Sequence, residues 1–453
     1  MRPPLSDKST LYSNTTIPKF ILFVNLFAEI LTILNVCTKC KKLQKHTVFL
    51  LTLKRICGRI TEEKSYECGG AKVKNFHVNT EIYFGERALE RLAQLEYNTV
   101  IIIADPFVVS SGLISLATSR LDSAKIKYSI YTDVVPDPPI EKVIGGVTEV
   151  LKHRPPCIIA IGGGSAIDMA KAVRKFATQI EGGYRPALIA IPTTSGTGSE
   201  VTRFAVITDN AAERKYPLAS EDLIPDEAIL DEELVKSVPA SITADTGMDV
   251  LTHAIEAYVS INNNEFSAAL AEKAVEISGQ FLIRSYSDCN DTHARRKMHI
   301  AACLAGLAFN SASLGLNHGM AHQLGANFHS PHGRANSILL PYIIEFNSGI
   351  GLTSRSQDSY PPCVLKYCNM ARTLGVNNIN KVTTVRSLIS YIHFMAAEMH
   401  IPSRVSEAVN ISFEEYEAHI ERMAEAALED ACTATNPRVP TKAEVMEIYR
   451  KIW

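Results

Sequence analysis

Several things are scarce in this chain of 453 residues. It carries 46 Lys and Arg against 48 Asp and Glu, a net charge of −2, so it has no cationic surplus to follow a phosphate backbone. Nucleic acid is thereby excluded as the main partner. Cysteine is sparse and scattered, which rules out the dense disulfide framework of a small secreted domain. Reduced, mostly buried thiols in a cytoplasmic protein are expected instead. The pair Cys37-x-x-Cys40 with Cys57 and Cys68 lacks the second closely spaced pair that a zinc knuckle needs. No apolar run reaches the length that comfortably spans a bilayer. The best candidate, Phe20 to Val36, is short and holds Asn25 and Glu29, which weighs against a membrane span.

One absence is local. The first 57 residues contain no glycine and a single alanine, Ala28, and no methionine occurs between Met1 and Met169. Residues 1–70 carry 11 Lys and Arg against 5 Asp and Glu, whereas the remainder is acidic. Residues 1–72 are thus read as an atypical basic and apolar leader, either untranslated, with the true start a non-standard codon at Val73, or disordered. The intact mass of the natively expressed protein checks this, and a species containing Met1 contradicts it.

What is present begins with regular β–α alternation. Val100–Ala104, Tyr128–Tyr131, Cys157–Ile161 and Ala187–Ile191 read as buried parallel strands. Helical stretches follow the first of these to about Ser123, cover Ile140–His153 and start near Ala166. The expectation is an α/β, Rossmann-like parallel-sheet domain over residues 75–238. Past Val238-Pro239 the pattern turns to 3.6-residue periodicity without strand-like alternation, so residues 239–453 should form an all-helical domain. The active site is expected in the cleft between the two.

Chemistry concentrates at a few places. Gly162-Gly163-Gly164-Ser165 joins a strand to a helix, where bare backbone and a helix N-terminus suit a pyrophosphate. Alone, this is a tight glycine turn as readily as a phosphate site. The next strand ends in Pro192-Thr193-Thr194-Ser195-Gly196-Thr197-Gly198-Ser199, a second hydroxyl-rich loop on the same edge of the sheet. Asp105 ends an earlier strand; a carboxylate there accepts ribose hydroxyls and repels a 2′-phosphate, favouring NAD, or else caps an Asp-Pro turn. Lys215 is a surface lysine unless it meets the dinucleotide.

In the helical half, Asp249 and His253 are four apart, as are His318 and His322, so each pair shares a helix face. His332 follows a helix break. Burying several imidazoles and a carboxylate without a partner is costly. One carboxylate with three imidazoles forms a set suited to Fe²⁺, or to Zn²⁺. His322 and His329 are then surplus, and either is placed to relay a proton.

These motifs, in this order over about residues 75–453, resemble the iron-containing (group III) alcohol dehydrogenases. The resemblance implies metal ligation by Asp249, His253, His318 and His332, with His322 in the active site but not on the metal. It implies NAD contacts at Asp105, Gly163, Gly164, Ser165, Thr193, Thr194, Thr197 and Lys215, and an alcohol pocket lined by Phe309. Within the family the chain looks most like the microcompartment 1-propanol dehydrogenase, lactaldehyde reductase and 1,3-propanediol dehydrogenase groups. The expected reaction is NAD(H)-dependent interconversion of a short-chain primary alcohol and its aldehyde, in a cytoplasmic homo-oligomer, with microcompartment association a further possibility. The alternatives are glycerol dehydrogenase-like polyol oxidation, a dehydroquinate synthase-like lyase, and a membrane- or shell-tethered binding protein.

Overall fold

The computed structural model describes residues 66–68, 71–73, 75–209, 214–350 and 360–453. The apolar run Phe20–Val36 and most of the basic leader lie outside the described residues. A short antiparallel hairpin pairs Tyr66–Cys68 with Ala71–Val73.

Eight further strands follow. They are β1 (Glu81–Phe84), β2 (Thr99–Ala104), β3 (Lys127–Tyr131), β4 (Cys157–Gly162), β5 (Ala187–Pro192), β6 (Phe204–Asp209), β7 (Arg214–Ala219) and β8 (Glu227–Leu230). Six of them form one sheet in the order β1-β8-β5-β4-β2-β3, every neighbouring pair parallel. Parallel strands need both faces covered, and the residues comply. Val100, Ile102, Ile159, Ile161, Ile189 and Ile229 pack into one core, while Ile101, Ile103, Ile158, Ala160 and Leu188 of the same strands are equally buried. Sequence reading finds the four longer strands; it misses β1 and β8, each only four residues long, and the antiparallel pair β6–β7.

The order of strands reverses direction between β2 and β4. From β2 the chain steps outward to β3, then returns to β4 on the other side of β2 and continues to β5. The crevice beyond the carboxyl ends of β2 and β4 is therefore a topological switch point, where open α/β sheets bind ligands. Helices α1 (Ile114–Ser123), α2 (Ile140–His153) and α3 (Gly164–Ile180) complete this half. Helix α3 starts two residues earlier than its sequence suggests, because extended Gly163 serves as its N-cap.

The rest of the described chain is helical: α4 (Ala240–Val259), α5 (Glu265–Ser287), α6 (Thr292–Ala312), α7 (Leu316–Phe328), α8 (His332–Ser348), α9 (Cys363–Thr373), α10 (Lys381–Glu398), α11 (Phe413–Glu429) and α12 (Lys442–Lys451). Helix α4 is buried without a break from Gly247 to Val259. Gly247 permits this, since a Cβ there would lie 2.0 Å from Leu282 of α5. Asn264 closes a capping box with Ser267 and so fixes the start of α5. Between α7 and α8 the chain breaks at left-handed His329, Ser330 and Pro331, which sets His332 as the first residue of α8. Among the described residues no single helix is long and apolar enough to cross a membrane. The bent pair α6 and α7 passes that test only jointly, across a 109° bend.

Candidate active site

Side chains on α4, α7 and α8 converge on one point. Asp249, His253, His318 and His332 each offer a ligand atom, and these atoms all lie within 4.8 Å of one another. Asp249 Oδ1 is 3.5 Å from His332 Nε2 and 3.7 Å from His318 Nε2, and Asp249 Oδ2 is 3.9 Å from His253 Nδ1. Ligands about 2.1 Å from a cation in a four-ligand site are spaced roughly 3.4 Å apart, so the three pairs that include Asp249 stand close to a ligating separation. The i,i+4 spacing on fully buried α4 puts Asp249 and His253 on one face, while the break before His332 brings α8 back against the first turn of α7.

The polar groups are short of partners in a way a cation would satisfy. His253 Nδ1 is buried without a hydrogen bond, while the ring is bonded by the backbone of Gly196. Asn336 Nδ2 lies 2.7 Å from Asp249 Oδ1 and 3.1 Å from both His318 Nε2 and His332 Nε2, so one amide nitrogen is shared among three polar atoms. Burial pushes the His253 pKa down to about 4. Burial would also raise that of Asp249, but the surrounding imidazoles outweigh it and hold the carboxyl well below the usual range. Anionic Asp249 and neutral His253 are the states that ligate. The chemistry of the donors, three nitrogens and a carboxylate, fits Fe²⁺ or Zn²⁺.

A layer of support lies behind these groups, and sequence reading assigned it no role. Glu256, two turns beyond Asp249 on α4, is buried and accepts a hydrogen bond from His318 Nδ1. This holds His318 in the tautomer whose Nε2 faces Asp249. Burial works to lower the His318 pKa, but the Glu256 and Asp249 carboxylates outweigh it and raise it to about 9. Glu256 also accepts the Asn317 backbone N–H at 2.8 Å, and Asn317 Nδ2 donates to Asn336 Oδ1 at 2.9 Å. Gly315 leaves room for this, because a Cβ there would lie 2.7 Å from Glu256 Oε1. The i,i+3 relation of His253 to Glu256 was a visible signal; the pairing with His318, 62 residues away, was not.

His322 sits one turn after His318 and outside the four. Its ring stacks 5.4 Å from that of His332, and its Nδ1 donates to Asp430 Oδ2 at 2.8 Å. Asp430, on the segment after α11, is pulled down to about 2: burial opposes this, and the His322 contact prevails. Phe309 of α6 stacks on the His253 ring at 4.7 Å and forms an apolar wall beside the cluster. His329 is exposed and serves as the left-handed C-cap of α7.

At the sheet edge the two loops meet. Thr193 N–H bonds Gly162 O, and a Cβ on Gly164 would lie 2.7 Å from Thr197. Thr194 lies against Gly163 in the same way, at 3.6 Å from its virtual Cβ. Asp105 N–H bonds Ile161 O, which brings β2's end beside the glycines. Asp105 Oδ1 caps the one-turn helix Pro106–Ser110 through Phe107 N–H at 2.8 Å, so the turn role is filled while Oδ2 stays free for a ligand. Ser165 Oγ accepts the Asp137 N–H at 3.4 Å. Lys215 lies on β7, and its side chain is outside the described residues. Asp168 on α3 ties the second loop down, accepting Ser199 Oγ at 2.5 Å and Val206 N–H at 2.9 Å.

Comparison with known proteins follows the same outline. Residues 79–232 match the family model of iron-containing alcohol dehydrogenase, and residues 243–453 match that of the C-terminal part of the Fe-containing alcohol dehydrogenase family. The chain is 41% identical over 386 residues to 1-propanol dehydrogenase PduQ of Citrobacter freundii, covering 84% of this chain and 100% of the relative. It is 37% identical over 393 residues to an NADPH-dependent butanol dehydrogenase of Clostridium saccharobutylicum, covering 83% of this chain and 97% of the relative. Among solved structures it is similar to a 1,3-propanediol oxidoreductase, with a TM-score of 0.77 at 29% identity over 84% of this chain and 100% of the other. Profile, sequence and fold agree: this chain is a member of the iron-containing alcohol dehydrogenase family.

Proposed function

We propose that this protein interconverts a short-chain primary alcohol and its aldehyde with NAD(H), using one divalent metal ion, Fe²⁺ or Zn²⁺, held by Asp249, His253, His318 and His332. The observation that carries this reading is the convergence of those four ligand atoms within 4.8 Å beside a loop whose other side meets the glycine turn of the sheet. A cation bound there supplies Lewis acidity that polarises the substrate's C–O group, and the nicotinamide supplies or accepts the hydride.

The chain's own residues do the rest. Gly163, Gly164 and Ser165, with the N-terminus of α3, receive the pyrophosphate. Thr193, Thr194, Thr197 and Lys215 contact the dinucleotide, and Asp105 Oδ2 accepts from ribose. The Phe309 ring, stacked on His253, excludes water from one side of the cluster and presents an apolar wall to an aliphatic chain. His322, with Nδ1 committed to Asp430, keeps Nε2 to exchange a proton between the substrate oxygen and water. Relatives named for propanol, butanol and propanediol support a short aliphatic substrate; reduction of an aldehyde such as propanal or lactaldehyde is the direction proposed for a fermenting cell. A cytoplasmic homo-oligomer is proposed, and likeness to PduQ supports association with a microcompartment.

Polyol oxidation of the glycerol dehydrogenase kind, a non-redox lyase and a tethered binding protein are not favoured, because both halves match alcohol dehydrogenase family models. The test is anaerobic protein loaded with Fe²⁺ and assayed for NADH and NADPH oxidation against ethanal, propanal and lactaldehyde. Aldehyde-dependent oxidation of NADH in preference to NADPH supports the reading. Oxidation that survives complete chelation contradicts it.

A further inference from the structure

The loop from Thr193 to Ser199 has two sides, and they face two different sites. Thr193, Thr194 and Thr197 lie against Gly162, Gly163 and Gly164, on the side proposed to receive the dinucleotide. The residues between and after them face the helical half. Ser195 Oγ is hydrogen-bonded to His299 Nδ1 of α6 at 3.0 Å, and His299 is buried with its Nε2 unpartnered. Gly196 lies against α4, where a Cβ would come 2.8 Å from Thr246 Cβ, one turn before Asp249. The Gly196 backbone is also the hydrogen-bond partner of the His253 ring. Gly198, at φ +61°, rests on Gly306 of α6 backbone to backbone: a Cβ on it would lie 2.6 Å from Gly306 Cα.

We infer that the segment Ser195–Gly198 couples the two sites, so that nicotinamide dinucleotide and metal each tighten the binding of the other, with Ser195 and His299 as positioning residues. The inference rests on the proposed assignment of NAD(H) to the glycine and threonine loops. Its physical content is contiguity. One short loop, seated on Thr246 of α4 and backbone to backbone on Gly306 of α6, must hold one position to contact the dinucleotide with its threonines. The same position presents the Gly196 carbonyl to His253, fixing which ring nitrogen carries the proton and leaving Nδ1 to face Asp249. A ligand that favours this position on one side favours the other site, and the effect is reciprocal. Ser195–His299 is the side-chain strut between loop and α6; removing it frees the loop without touching either site.

The experiment measures the dissociation constant of Zn²⁺, by competition with a fluorescent chelator, in the full chain with and without saturating NADH. NADH binding is followed by its own fluorescence in the same samples. At least about fivefold tighter Zn²⁺ binding with NADH is expected in the parent protein, the lower end of ordinary coupling. The ratio should fall toward one in Ser195→Ala and recover in Ser195→Thr, which keeps the hydroxyl. A thermal melt on each variant shows that the fold is kept, and a purely structural role would not move the ratio. Equal Zn²⁺ affinity with and without NADH, or a ratio unchanged in Ser195→Ala, overturns the coupling while leaving the cofactor assignment intact. Failure of NADH to bind at all overturns the cofactor assignment, and the coupling with it.

Discussion

Glu256→Gln removes one charge from the heart of the helical half and almost no volume. In the folded protein Glu256 uses Oε2 to accept from His318 Nδ1 and Oε1 to accept the Asn317 N–H at 2.8 Å. Glutamine keeps one carbonyl oxygen, so it can serve one of the two donors well and must serve the other with an amide. Placing its oxygen on Asn317 turns an NH₂ toward His318 Nδ1, which then has to accept, and the proton moves to Nε2, the nitrogen that should ligate. Loss of such a supporting carboxylate ordinarily weakens metal binding by roughly 10–100-fold, or about 1.4–2.8 kcal/mol. Chelator competition with Zn²⁺ measures this directly. The accompanying shift in metal-dependent stabilisation, read as the change in melting temperature between metal-free and loaded protein, should shrink by a similar free energy. A dissociation constant within twofold of the parent, in a variant that melts normally without metal, refutes the role assigned to Glu256.

Three further outcomes follow from the same geometry. In Gly198→Ala the new Cβ meets Gly306 backbone at 2.6 Å with φ at +61°, so the melting temperature should fall by several degrees, whereas the open Gly112→Ala (φ +80°, no neighbour within 4 Å) carries only the strain of its φ and falls less. Removing the carboxylate in Asp105→Ser should raise the ratio of NADPH to NADH turnover, because repulsion of a 2′-phosphate is lost; an unchanged ratio contradicts the ribose assignment. In the metal-free protein the buried histidines give the stability profile an alkaline and an acid limb. The His318 pKa, raised to about 9, gives stability that is complete below 6.5 and is lost as pH rises through 9. The His253 and His299 pKa values, lowered to about 4 by burial, mean the unfolded chain takes up protons first as pH falls from 6.5 toward 4. Denaturant melts across pH 4–9 check both limbs.

Much of this was legible in the sequence because the carriers are local. The buried runs at Val100–Ala104 and Cys157–Ile161 announce parallel strands by composition alone, and the glycine and threonine loops follow them directly. Asp249 with His253 and His318 with His322 are readable because four residues make one turn. The parts that were not legible depend on pairs distant in the chain or on elements too short to show a period. Strands β1 and β8 are four residues each, and β6–β7 is an antiparallel ribbon set between the β–α units. Glu256 finds His318, Asn336 finds Asp249 and Asp430 finds His322 only once the helices are packed. Nor does a sequence reveal that one loop has two faces: Thr194 and Ser195 look alike as hydroxyls, and only packing sends one to Gly163 and the other to His299.

Catalysis is proposed to require one metal ion on Asp249, His253, His318 and His332. The most direct measurement is anaerobic titration of metal-free protein with Fe²⁺, following propanal-dependent NADH oxidation against iron bound per chain, in the parent and in His318→Ala. Activity should rise in proportion to bound iron and stop at one equivalent, with His318→Ala binding iron weakly and remaining inactive. Full activity before any iron is added, or activity retained by His318→Ala without metal, contradicts the account.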